Sequence, residues 1–186
     1  MKPFTYKKLN VPDHKEITQQ IYEFVRDHTP AMEYNPIYAF IAQDELLAAV
    51  PRLTEIANDF GLKIRSAAVI ARPPGFPEGI HVDDDVSIGC PAVRWLWPVV
   101  GCEGSRTNFY DADPNHLISY VTPDTNEPYT LLPDEAPKTL IDSFELTEPV
   151  FFNTSIPHGI VVPPDLDKVR FSLAIGFEEV PEELLV

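Results

Sequence analysis

The chain has 186 residues, 44% of them hydrophobic and 23% charged, which is enough for one domain with a sizeable core and too little for two comfortable ones. Twenty prolines against eight glycines favour many short elements joined by stiff turns. With 14 Lys and Arg against 29 Asp and Glu, the formal net charge of −15 repels phosphate backbones and anionic lipid surfaces, so neither nucleic acid nor membrane is expected as a partner.

The opening residues, Met1-Lys2-Pro3-Phe4-Thr5-Tyr6, lack the apolar run of a signal peptide, and apolar stretches such as Ala67 to Ala71 are too short to span a bilayer. A cytoplasmic protein is the expectation. From Asp13 to Asp27, Ile17, Ile21, Phe24 and Val25 recur at helical spacing, and Asp13 with Glu16 suits a capping box whose first place ordinarily takes Ser or Thr. A second helical stretch runs from Asp44 to Phe60, interrupted at Pro51 and closed by Gly61. The two helices are expected to brace the outside of a sheet.

Beyond Gly61 the chain becomes a series of short apolar and β-branched runs punctuated by Pro, Gly, Asp and Asn. They are Leu62 to Arg72, Gly79 to Asp83, Ala92 to Val100, Arg106 to Tyr110, His116 to Thr122, Tyr129 to Leu132, Leu140 to Phe152, Ser155 to Val162 and Val169 to Phe177. Two helices followed by about eight short strands fit a mainly β fold, a sandwich or jelly roll. The expected organisation is a single domain, 1–186, made of a helical brace (1–61), a jelly-roll core (62–177) and an acidic tail (178–186). Cys90 and Cys102 flank one strand-like run that, extended at about 3.3 Å per residue, separates them by roughly 40 Å, beyond disulfide reach, so reduced thiols are expected.

On a strand, residues two apart face the same way, so His81 and Asp83 project together while Ile80 and Val82 pack on the other side. The tripeptide alone is a common pattern. His14-Lys15-Glu16 repeats it inside a predicted helix, where residues two apart diverge by about 200° and cannot chelate one ion. Weight comes from farther along, where Ser155 to Val162 and Val169 to Ile175 flank the turn Pro163-Pro164-Asp165-Leu166-Asp167. Read as a hairpin folded about Pro164, this segment sets His158 opposite Arg170. Alternation places Arg170, Ser172 and Ala174 on one face and Phe171, Leu173 and Ile175 on the other.

His81-x-Asp83, His158 and Arg170-x-Ser172, on short strands preceded by helices, resemble the iron(II)- and 2-oxoglutarate-dependent dioxygenases of the double-stranded β-helix fold, cupin-like jelly rolls that include the phytanoyl-CoA and prolyl hydroxylases. The resemblance covers Leu62 to Phe177. It implies Fe(II) held by His81, Asp83 and His158, and 2-oxoglutarate held by Arg170 with Ser172. Three ligands on one octahedral face leave two positions for the chelating oxo acid and one for dioxygen, and a planar guanidinium meets the distal carboxylate in a fork that Lys168 lacks. The implied chemistry is attack on an unactivated C–H bond, most simply hydroxylation, with succinate and carbon dioxide as coproducts.

By the same resemblance, Asn108 and Tyr110 are expected to donate hydrogen bonds to the oxo acid. Trp95 and Trp97 are read as core, Arg94 as a possible second carboxylate or substrate contact, and Asn153 as satisfying backbone beside the His158 strand. Arg72, before Pro73-Pro74-Gly75-Phe76-Pro77, introduces a stiff loop that is either part of a lid or an ordinary surface crossing. A small-molecule or amino-acid-type substrate is expected, with the oligomeric state open. Two competing readings are a cupin-like metal enzyme that does not use 2-oxoglutarate and a catalytically silent jelly-roll binding module.

Overall fold

A computed structural model of the chain describes residues 4–28, 37–83, 92–121, 128–181 and 184. The stripe of Ile17, Ile21, Phe24 and Val25 is buried along α1 (His14–His28), one residue shifted from its expected bounds. The second stretch divides at Pro51, as its ring requires, into α2 (Gln43–Ala49) and α3 (Arg52–Asp59), whose Leu46, Leu53, Ile56 and Ala57 are buried. At the start of α1 the backbone N–H of Glu16 and of Ile17 bonds to the Asp13 carbonyl, while the Asp13 carboxylate accepts from Arg52 Nε at 2.9 Å, tying α1 to α3.

Twelve strands are formed by the described residues: β1 (Tyr6–Lys8), β2 (Ile37–Phe40), β3 (Ile64–Arg72), β4 (His81–Asp83), β5 (Val93–Val100), β6 (Arg106–Ala112), β7 (Ile118–Val121), β8 (Pro128–Leu131), β9 (Lys138–Phe144), β10 (Val150–Asn153), β11 (His158–Val161) and β12 (Arg170–Phe177). They make two six-stranded antiparallel sheets. The first has the order β1-β10-β5-β12-β3-β2 and the second β7-β8-β4-β11-β6-β9. Within the span expected to be helical only, β1 and β2 add an edge to each side of the first sheet. The single run Leu140 to Phe152 is two strands, β9 and β10, one in each sheet.

Alternation sorts side chains into two cores. One face of the first sheet presents Trp95, Trp97, Phe151, Leu173, Ile175 and Phe177 to the helices, and there Trp97 Nε1 donates to Thr18 Oγ1 of α1 at 2.9 Å. Each such side chain, fully buried, contributes about 1.5–3 kcal/mol or more. The other face carries Leu96, Val150, Phe152 and Ala174 into the space between the sheets, where they meet Phe109 and Phe144 of the second sheet. The expected split along β12 holds: Ala174 lies between the sheets, and Phe171, Leu173 and Ile175 lie under the helices.

The hairpin expected about Pro164 is not formed. β11 pairs with β4 and β6 in the second sheet, whereas β12 pairs with β3 and β5 in the first. The Pro-rich turn is a crossover between the two sheets. β5 contains Pro98, a residue that removes a ladder hydrogen bond, and the pairing with β12 shifts register there, from Phe171↔Val100 to Ser172↔Pro98. Arg170 lies just before this irregularity, at the start of β12.

Candidate active site

β4 is three residues long, with Asp83 and His81 on the same face. Among the described residues its register partner in β11 is His158, which stands across from His81. The two rings lie 4.5 Å apart, and the ligating atoms of His81, Asp83 and His158 all fall within 4.8 Å of one another. His81 Nε2 is 3.6 Å from Asp83 Oδ1. These separations are somewhat wider than those around an ion about 2.1 Å from each ligand, so a bound metal would draw the three groups together.

Both imidazoles are oriented by backbone. His81 Nδ1 donates to the Gly79 carbonyl at 2.8 Å and His158 Nδ1 to the Ile156 carbonyl at 2.9 Å, which leaves each Nε2 lone pair for the centre. Burial pushes His158 down to about pKa 4, with the His81 ring adding to the effect and Asp83 opposing it, so the imidazole is neutral at pH 7. For Asp83, burial pushes the carboxyl up, but His81, His158 and Arg94 together outweigh it and hold the group below the ordinary carboxylate range. Arg94 Nε stands 3.6 Å from Asp83 Oδ2. Arg94, considered as a second carboxylate or substrate contact, thus stands beside Asp83.

Across the interior, Arg170 is 1% exposed and Ser172 fully buried. Arg170 Nη2 donates to Thr107 Oγ1 on β6 at 3.1 Å, reaching from one sheet to the other. Its Nε and Nη1, and the Ser172 hydroxyl, make no hydrogen bond among the described residues. Leaving such donors buried costs about 1–3 kcal/mol each, more for a charged group, so a cluster of them marks a place for an acceptor. Burial lowers the Arg170 pKa, partly offset by the neighbouring Cys102 thiol, whose own pKa is raised by burial.

Asn108 and Tyr110 do not join this group. Phe109 is the register partner of His158 and faces the interior, so its neighbours in β6 face outward. There Tyr110 Oη donates to Glu78 Oε1 at 2.7 Å, Asn108 Nδ2 donates to the same oxygen at 3.1 Å, and Ser143 Oγ donates to Asn108 Oδ1 at 2.8 Å. Burial, then the bond to Glu78, pushes Tyr110 up to about 12. Strand alternation was the right rule applied to the wrong face: the inward residues of β6 are Thr107 and Phe109, and the aromatic at 109 is the signal that pointed to it. Glu78 had no motif to mark it.

The remaining expectations are placed as follows. Trp95 and Trp97 are fully buried core. Asn153 serves backbone: its Oδ1 accepts from the Ser155 N–H at 3.0 Å and its Nδ2 donates to the Phe4 carbonyl at 3.2 Å. His14, the internal control, lies in α1 with Nδ1 bonded to the Val11 carbonyl. The loop after Arg72 crosses from the first sheet to the second, and Gly75 N–H donates to the Val162 carbonyl at 2.9 Å. Cys102 is a buried free thiol, while Cys90 lies outside the described residues. Among the described residues no helix is long and apolar enough to cross a membrane.

No protein-family model and no curated protein sequence matches the chain. Solved structures do. A non-heme alpha-ketoglutarate-dependent carbocyclase, SnoK from nogalamycin biosynthesis, superposes with a TM-score of 0.54 at 13% identity over 93% of this chain and 79% of its own. The epimerase SnoN, solved in complex with Fe3+, alpha-ketoglutarate and a nogalamycin compound, gives 0.53 at 14% identity over 93% and 78%. A Pseudomonas putida prolyl-4-hydroxylase gives 0.51 at 14% identity over 93% and 91%. Two facing antiparallel sheets, with a histidine–aspartate–histidine cluster on one and a buried arginine on the other, give this chain the double-stranded β-helix fold shared with the non-heme iron, 2-oxoglutarate-dependent oxygenases.

Proposed function

We propose that the protein is an Fe(II)- and 2-oxoglutarate-dependent oxygenase that oxidises an unactivated C–H bond of a small molecule or amino-acid side chain. The observation that carries this reading is the facing arrangement of the two sheets, which puts three metal-type ligands on one inner wall and unsatisfied guanidinium and hydroxyl donors on the other. His81, Asp83 and His158 would hold iron, and Arg170 with Ser172 would hold the distal carboxylate of the oxo acid. When bound, the pair supplies oxidative decarboxylation to succinate coupled to oxidation of the substrate.

The chain's own contribution is placement and exclusion of water. Carbonyls of Gly79 and Ile156 keep both histidines in the tautomer with Nε2 free. Arg94 balances part of the Asp83 charge so that the carboxylate stays ionised in a half-buried position. Arg170, positioned by Thr107, presents its Nε and Nη1 N–H groups as charged donors to a carboxylate. Phe109 and Phe152, with ring centroids 6.2 and 5.2 Å from that of His158, wall the inner side.

Anaerobic titration of Fe(II) and then 2-oxoglutarate tests the reading. A weak visible charge-transfer band is expected, lost in His158→Ala and in Arg170→Ala; a folded wild-type protein that binds neither would refute it. Succinate formation with a trial substrate separates the proposal from a cupin-like enzyme that binds metal alone. The solved structures of similar fold include an epimerase and a carbocyclase, so product analysis decides whether hydroxylation is the outcome.

A further inference from the structure

Arg72, the last residue of β3, is the direct register partner of Arg170 in the antiparallel ladder with β12. Directly opposed residues project to the same face with Cβ atoms about 4.5–5.5 Å apart. Arg72 therefore stands beside Arg170 at the same end of the interior. Its guanidinium donates Nη1 to the Ala71 carbonyl at 3.0 Å and lies 5.5 Å from the Phe76 ring centroid. Among the described residues neither arginine forms an ion pair with an Asp or Glu.

Two neighbouring guanidinia without an acid repel each other, and in a low-dielectric interior that repulsion is strong. Burial lowers the pKa of Arg72 and the charge of Arg170 lowers it further. We propose that Arg72 is a second guanidinium for the distal carboxylate of the oxo acid, so that Arg72 and Arg170 together select a dicarboxylic over a monocarboxylic 2-oxo acid. The inference rests on the oxygenase reading above and adds a specificity-determining residue to it. Arg170 supplies its free Nε and Nη1 N–H groups as donors, and Arg72 adds a second positive charge on the same carboxylate.

Calorimetric titration of Mn(II)-loaded protein tests this without turnover, using 2-oxoglutarate and 2-oxopentanoate, which has the same carbon chain but no distal carboxylate. Wild type is expected to prefer the diacid. In Arg72→Met, which keeps an unbranched apolar stem, diacid affinity should fall about ten-fold while 2-oxopentanoate affinity is unchanged. The ligand-free variant should melt no lower than wild type, because removing one of two like charges relieves repulsion; an arginine with a purely structural role would do the reverse. Should Arg72→Met fold poorly, Arg72→Lys carries the same comparison, with diacid affinity falling several-fold as the planar fork is lost. Undiminished diacid binding in these variants, or equal loss of both acids, overturns the inference. A wild-type protein that binds neither acid overturns the oxygenase reading instead.

Discussion

His158 is 3% exposed, and its buried imidazole takes a proton only near pH 4 in the folded chain, against about 6.5 when unfolded. Between those values the unfolded state binds the extra proton, so stability is highest above about pH 6.5 and falls as the pH drops through the window, by on the order of 3 kcal/mol in all. The metal-free protein should therefore lose melting temperature from pH 7 to pH 4.5, and His158→Gln should flatten that slope. Parallel slopes for the two proteins would exclude His158 as the titrating group. The same burial that destabilises the acid form keeps Nε2 available for a metal at neutral pH. At this scale the sequence was informative about residue types and silent about surroundings: His81-x-Asp83 was legible, whereas the Arg94 contact to Asp83 depends on a strand that arrives from the other sheet.

At the scale of elements, β11 is fixed against the segment that leads into β4. A Cβ added to Gly159 would sit 2.4 Å from Glu78 Cγ, so only glycine lets the Glu78 side chain cross β11 and reach Asn108 and Tyr110. Gly159→Ala is expected to cost about 1–3 kcal/mol through overpacking. Glu78→Ala should cost about 1 kcal/mol by removing the shared acceptor. In urea denaturation the double variant should be clearly less destabilised than the sum of the two, and strict additivity would show that Glu78 is not the obstruction. Glu78 stands three residues before His81, so the same latch holds the approach to β4. The helices and most strand positions were legible because periods of 3.6 and 2 leave apolar stripes. β1 and β2 were not, since three- and four-residue edge strands show little period of their own, and β9 and β10 merged despite Pro149 between them, because apolar Leu146 and Val150 flank it.

For the whole molecule, a metal on the second sheet and an oxo acid anchored to the first would join the two walls of the interior. Ligands that bind only the folded state raise its stability by about 2.7 kcal/mol at 100 times their dissociation constant, a shift of roughly 5–10 °C for a chain of this size. Mn(II) alone should raise the melting temperature in wild type and in Arg170→Ala. 2-Oxoglutarate should add a further rise only when the metal is present and Arg170 is intact. An oxo-acid effect that ignores the metal would place its site elsewhere in the protein.

By itself the sequence determined the composition of the site and the faces of individual strands, because side-chain alternation is a local property of extended backbone. It read β12 correctly, with Arg170 and Ser172 opposite to Leu173 and Ile175. Tertiary structure decided which strands face one another. Arg170 meets the interior from the opposite sheet and not from a hairpin with His158, and Asn108 and Tyr110 turn outward to Glu78 while Thr107 turns in. Strand pairing is settled by burial summed over whole sheets, a long-range quantity that no turn or tripeptide contains.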